Sequence, residues 1–384
     1  MRATITIVRI LVGVLFVISG LVKANDPFGL AYKMEEFFEI WSISLAASSF
    51  FLKDALISLF AFGHEHSLTL AVLMITLEIL AGVALLIGWK RRLVLNGLLV
   101  LIVFFTFLTA YAYLSGKFKN CGCFGDCIPI SPLTSFGKDV ALLLMILLLF
   151  VGRQYITPIF TRSSRMAALI GSLVLALGLQ WYALNYLPPV DCLPFKEGNN
   201  ISEQMKIPPN AVPDSFAMKF IYEKAGKRYT FAMEELPSDL GSYKFVDREQ
   251  KLIRKGNAEP PVKGFSLSGI SGADSTVAVL SESAAVLVIG EHFKKASKAW
   301  LRDLQKLNTV AHAKAIPVYI ITPDAERARN LLVRNGLITV PVLSCDVTAV
   351  RQAARVNPTF FLINRGTIKK KVSYRQVDEI TKQL

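Results

Sequence analysis

Cys121-Gly122-Cys123-Phe124-Gly125-Asp126-Cys127 gathers three of the chain's five cysteines into seven residues. The stretch lies between two apolar runs, each long enough to cross a bilayer. Two glycines let the backbone fold tightly, so that the sulfurs can approach one another. Three uses fit the pattern: a thiol–disulfide switch, a metal site, or a tight loop whose cysteines pack. A Cys-x-Cys disulfide closes a very small ring and is easily reduced, which suits exchange better than stapling. Zinc asks for about four ligands. Only Asp126 or the distant His64 could join the three sulfurs, and no second Cys-x-x-Cys or His pair supports a metal. The redox reading makes Cys121 and Cys123 the exchanging pair and Cys127 a resolving or structural thiol. Lys119 and Lys138 flank the loop and could favour a thiolate; Lys138 reads equally as an ion pair with Asp139. The competing structural view bonds Cys121 to Cys127 or to Cys192 as a permanent staple.

Outward from the loop, apolar runs near 5–22, 67–88, 93–114, 136–152 and 167–187 each approach the ~20 residues that a membrane-spanning helix needs. The first resembles a signal peptide, with Arg2 as its charged start. Arg9 interrupts it, and no A-x-A site precedes Lys23-Ala24-Asn25-Asp26, so retention is expected. Lys90-Arg91-Arg92 and the trio Arg153, Arg162 and Arg165 form two acid-free basic loops. The positive-inside rule puts both loops, and the N-terminus, in the cytoplasm. The loop 23–66, the cysteine loop and everything after Pro188 then lie outside. Within 23–66, Asp26-Pro27-Phe28-Gly29 reads as a turn, followed by two interfacial helices. The alternative, a sixth span near 45–62, would invert all that follows.

Beyond Pro188 the chain changes character. Lys and Arg number 14 up to residue 187 and 29 beyond it, Asp and Glu 9 and 20, so both parts are basic. A basic domain beside a membrane suits anionic headgroups or an acidic partner. No basic run is interleaved with aromatics, so a nucleic-acid partner is not expected. Strand signals at 216–222 and 229–233 flank a hairpin turn, and 243–254 suggests a second hairpin. From residue 284 the pattern runs strand, helix, strand, helix, strand, strand, helix, an α/β layer. No catalytic Ser/His/carboxylate triad and no phosphate-binding glycine loop is present.

Two stretches carry a family resemblance. Arg9-Ile10-Leu11-Val12-Gly13, Ser19-Gly20-Leu21-Val22-Lys23 and Asp26-Pro27, with Glu78 in the next span, resemble the DoxX family of small membrane proteins. The cysteine motif, followed by Ser135-Phe136-Gly137-Lys138-Asp139, resembles the related MauE-type redox-associated proteins. The resemblance covers the chain up to Tyr186. It implies a four-helix bundle and an association with thiol or quinone chemistry. For MauE-type proteins it implies maturation of disulfide-containing periplasmic proteins. Val356-Asn357-Pro358-Thr359-Phe360-Phe361-Leu362 resembles the cis-proline and following strand of a thioredoxin-like domain. Where that family opens its helix with Cys-x-x-Cys, this chain has Glu291-His292-Phe293-Lys294.

The expected fold class is therefore a polytopic α-helical membrane protein, a DoxX-like four-helix bundle plus a fifth span, with a thioredoxin-like α/β domain outside. The expected divisions are a bundle over 1–152, a loop and fifth span over 153–187, a β-rich segment over 188–283 and the thioredoxin-like domain over 284–384. The expected place is a bacterial inner membrane with the C-terminal domain in the periplasm. The expected partners are the lipid bilayer and a periplasmic or membrane redox protein. The expected activity is thiol–disulfide exchange at Cys121, Cys123 and Cys127, coupled to a quinone or a periplasmic partner. The alternative is a non-catalytic anchor presenting a degenerate binding module. Glu78 falls mid-span, where a carboxylate needs a partner. Arg9 is the expected one, and Glu78, Arg9 and Lys138 are candidates for a quinone headgroup. Pro358, in cis, and Cys345 are the candidate partner-binding residues.

Overall fold

The computed structural model describes residues 1–118, 125, 127–128, 130–213, 215–237, 239–254, 256, 258–270, 272–291, 293 and 298–384. The N-terminal half is helical: α1 (Arg2–Asn25), α2 (Pro27–Ala46), α3 (Lys53–Glu65), α4 (Ser67–Ile87), α5 (Arg91–Ser115), α6 (Pro132–Val151) and α7 (Arg162–Tyr186). Five of these, α1, α4, α5, α6 and α7, are long and apolar enough to cross a membrane. They coincide with the five runs read from the sequence. The sixth-span alternative does not hold: α3 has 13 residues, about 20 Å of helix against a hydrocarbon core of roughly 30 Å. Asp26-Pro27-Phe28-Gly29 is not a free turn. Asp26 caps α2 by accepting from the Gly29 amide at 3.1 Å, and Pro27 takes the first helical position, where its missing amide costs nothing.

α1 and α4 pack antiparallel at close range because their facing residues are small. A methyl group added to Gly20 would lie 2.5 Å from Ile79 Cγ1, and one on Gly82 would lie 2.9 Å from the Gly13 carbonyl oxygen. These contacts fix the register of the pair. A buried cluster built on Ile5, Val12, Phe16, Leu85, Leu98 and Ile146 fills the bundle. α7 joins through Gln180, whose side-chain amide donates to Thr76 Oγ1 on α4 at 3.0 Å.

The C-terminal half contains α8 (Ile201–Gln204), β1 (Ser215–Lys224), β2 (Lys227–Ala232), β3 (Lys244–Arg254), α9 (Thr276–Ser281), β4 (Ala285–Ile289), α10 (Lys298–Ala313), β5 (Val318–Thr322), α11 (Ala325–Arg334), β6 (Val342–Ser344), α12 (Val347–Ala353), β7 (Thr359–Asn364), β8 (Thr367–Ser373) and α13 (Val377–Thr381). A five-stranded sheet has the order β6-β5-β4-β7-β8. β4 runs parallel to β5 and antiparallel to β7. Every residue of β4 is buried, as a continuous apolar run covered on both faces requires. Ala285, Leu287 and Ile289 face one core, with Phe195, Val262, Phe265 and Phe361. Val286 and Val288 face the other, with Trp300, Leu304 and Phe360. Phe195, Ile201, Val262, Phe265, Leu267, Val279 and Leu280 thus share a core with the α/β layer, so packing continues across 283/284. Residues 244–254 are not a second hairpin but one strand, because β3 pairs with β1 along its length. With β2 they form a separate sheet of order β2-β1-β3.

Candidate functional site

Three polar constellations stand out: one inside the bundle, one between the two halves and one at the cysteine loop. The innermost is buried among α1, α4, α5 and α6. Lys23 Nζ donates to both Glu78 oxygens, at 2.9 and 2.6 Å, and to Ser19 Oγ at 3.2 Å. The ammonium also sits 4.6 Å from the centroid of the Phe105 ring. Both side chains of the pair are 4% exposed. Beside them, Asp139 takes Lys138 Nζ at 2.7 Å and the Thr109 hydroxyl at 3.1 Å. Ser19, Lys23, Glu78, Phe105, Lys138 and Asp139 line a cavity of about 20 Å³.

The expected Arg9–Glu78 pair is therefore corrected: Glu78 is held by Lys23. Arg9 donates instead to the backbone oxygens of Leu85 at 2.9 Å, Leu86, and Thr157 at 2.9 Å. The reason is register. Contacts of Gly13, Gly20 and Gly82 bring Arg9 to the C-terminal end of α4, where carbonyls lack intrahelical donors and the helix dipole favours a cation. Fourteen residues on, about 21 Å along α1, Lys23 comes opposite Glu78. Lys138 is where the quinone reading wanted it, near Glu78, but Arg9 is not. A cavity of about 20 Å³ holds about one water molecule and no quinone ring. That cavity does not fit the cofactor.

The second constellation joins the two halves. Asp26 Oδ2 accepts from Arg355 Nε at 2.8 Å, with side chains 10% and 5% exposed. Arg351 reaches Glu35 at 3.0 Å and Glu291 at 2.7 Å. Glu35 also accepts from the Ser67 hydroxyl at 2.6 Å, at the head of α4. Tyr32 lies beneath both guanidiniums, 4.7 Å from Arg351 and 5.6 Å from Arg355; burial raises its phenol well above the ordinary range. Asn357–Pro358 is cis, as expected, and Asn357 Oδ1 accepts from the Glu291 amide at 2.7 Å. Pro358 is buried. The segment that leads into Pro358 thus meets α2 of the same chain, through Tyr32 and Glu35 against Arg351 and Arg355. Glu291, on the segment after β4, is a partner of Arg351.

The third constellation is the cysteine region. Cys121, Cys123, Asp126 and Lys119 lie outside the described residues. Cys127 is bonded to Cys192, with Cα atoms 4.9 Å apart and a sequence separation of 65. Gly125 adopts φ +59°, the left-handed conformation its loop role calls for. Asn25, the last residue of α1, clamps the segment after α7. Its side chain accepts from the Val190 amide at 2.9 Å and donates to the Val190 carbonyl at 2.8 Å. Its amide also reaches Cys127 Sγ at 3.9 Å. The bond therefore ties the cysteine loop to the start of the C-terminal half, beside the C-terminal end of α1. Among the described residues no group of His, Cys, Asp and Glu could hold a metal ion.

Residues 1–152 match the family model of methylamine utilisation protein MauE. The match covers α1 to α6, and so includes the Lys23–Glu78 pair, the Asp139 cluster and Cys127. The MauE-like part and the five apolar helices make this a membrane protein. Residues 216–255, the β2-β1-β3 sheet, match a domain of unknown function (DUF8463). No curated protein and no solved structure matches the chain.

Cys345 is not a surface residue. It is buried, its thiol 3.9 Å from the Gly264 carbonyl oxygen. Burial, and then the Asp346 carboxylate, push its pKa up to about 12. Its expected part in partner contact is not met. In the folded protein it should stay unlabelled by maleimide at neutral pH and label fully in denaturant. Rapid labelling without denaturant would contradict this placement.

Proposed function

We propose that the chain is a membrane-embedded thiol–disulfide exchange protein acting on the outer side of a bacterial inner membrane, with Cys127–Cys192 as its exchangeable disulfide. The observation that carries this reading is the bond itself, which links the cysteine loop of the MauE-like bundle to the entry of the α/β domain. A thiolate, from Cys121 or Cys123 or from a client, attacks one sulfur of the pair. A mixed disulfide forms and the other sulfur leaves as thiolate. A second thiol then attacks the mixed disulfide and releases the first sulfur. Two electrons and two protons have passed to Cys127 and Cys192, and the donor pair has become a disulfide. A disulfide-bearing oxidant of the same compartment returns the pair to its starting state.

The α/β domain supports a thioredoxin-like reading by its strand order, its antiparallel β7 and β8, and the cis-proline before β7. Without a Cys-x-x-Cys it supplies position rather than electrons. The ion pairs of Arg351 and Arg355 favour the second reading, a non-catalytic anchor, since they fix the domain to the bundle and leave the cis-proline face covered. The MauE name carries methylamine utilisation, and a client from that process is one proposal for the partner. Trapping separates the readings. Cys192→Ser, which leaves Cys127 free, should accumulate a reductant-sensitive adduct with a second protein or with Cys121 or Cys123. An unmodified Cys127 thiol in membranes, with function kept, would overturn exchange and leave the anchor.

A further inference from the structure

We propose that the aromatic face of the β2-β1-β3 sheet is a docking surface for an anionic lipid bilayer. This goes beyond the exchange reading and does not depend on it. None of the described residues from 215 to 254 is buried, and the sheet lies outside both cores of the α/β domain. A small antiparallel sheet gains its stability by packing one apolar face, and this one has such a face. Residues paired across the strands share a side. Tyr222 is opposite Tyr229 and Phe245, and Phe220 is opposite Phe231. The rings touch accordingly: Tyr222 lies 6.2 Å from Phe231 and 5.6 Å from Phe245. Tyr229 and Phe245 remain 39% and 52% exposed.

The charges on the sheet are segregated by face. On the aromatic side the ladder carries Lys224 opposite Lys227, and Arg248 opposite Phe220, with no carboxylate in any ladder position. Asp239, from the β2–β3 connection, takes Lys224 at 2.7 Å, which leaves Lys227 and Arg248 as the cations of that face. The opposite side mixes Lys219, Glu223, Arg228, Asp247 and Glu249. A second copy laid face to face would set arginine and lysine against their own kind. An anionic bilayer surface complements both features. Tyrosine and phenylalanine settle at the headgroup boundary, and lysine and arginine are drawn to anionic lipid. The sheet begins 29 residues after α7 ends, a length that leaves such a surface within reach.

The test uses the full chain in nanodiscs containing a photoactivatable phospholipid, with either phosphatidylglycerol or only phosphatidylcholine as the bulk lipid. Lipid adducts are mapped by mass spectrometry, and the five apolar helices serve as the internal positive control. Peptides carrying Tyr229 or Phe245 should take lipid in phosphatidylglycerol, roughly thirtyfold above phosphatidylcholine for two surface cations. Lys227→Glu combined with Arg248→Glu should remove that excess while helix adducts persist; Phe245→Asp should remove the adduct in both lipids. Absence of adducts in 215–254, equal adducts in the two lipids, or cross-links joining two sheets would each overturn the proposal.

Discussion

Lys23→Met should destabilise the bundle more than any other single change among the polar residues of α1. It leaves the Glu78 carboxylate buried with its main donor gone, and breaking one side of a buried pair costs about 3–5 kcal/mol. Glu78→Met strands the Lys23 ammonium in the same way. The double variant Lys23→Met/Glu78→Met should recover much of the loss, because replacing a whole buried pair by apolar groups is close to neutral. Thermal unfolding of the purified protein in detergent, compared across the four proteins, reads this coupling directly. If the double variant is as unstable as the sum of the singles, the two residues do not act on each other.

Arg355→Ala should release the α/β domain from the bundle. Asp26 spends one carboxylate oxygen on the amide of Gly29 and the other on Arg355. Losing the guanidinium leaves a buried charge without its counter-ion, again about 3–5 kcal/mol, now at the junction between halves. The spans should stay folded while the segment after α7 becomes protease-sensitive and the amides around Arg351 exchange faster. Asp26→Asn separates the two roles, since asparagine caps a helix as well as aspartate does but carries no charge for Arg355. It should loosen the junction and leave α2 intact. Unchanged protection in both variants would show that the ion pair does not hold the domain.

The five spans were legible in the sequence because a bilayer imposes a length and a composition that few soluble helices share. The central strand Ala285–Ile289 was legible for a similar reason, as a short run apolar on both faces. Partners were not. Choosing between Arg9 and Lys23 for Glu78 needed the register of α1 on α4, which small contacts at Gly13, Gly20 and Gly82 decide. α12 has seven residues, too few for periodicity to show, so Arg351 and Arg355 went unread although they anchor the junction. The Cys127–Cys192 bond has a sequence separation of 65 and lies where Asn25 holds the segment after α7, a contact with no local signature. Lys138 read equally as a neighbour that favours a thiolate and as an ion-pair partner of Asp139, and the structure pairs it with Asp139.

The most direct test of the central claim is non-reducing peptide mapping of the cysteines in native membranes across a dithiothreitol series. The account predicts a Cys127–Cys192 linked peptide that opens at low reductant while Cys345 stays protected and the helices stay folded. A Cys127–Cys192 bond that yields only when the protein unfolds would contradict it and make the bond a staple.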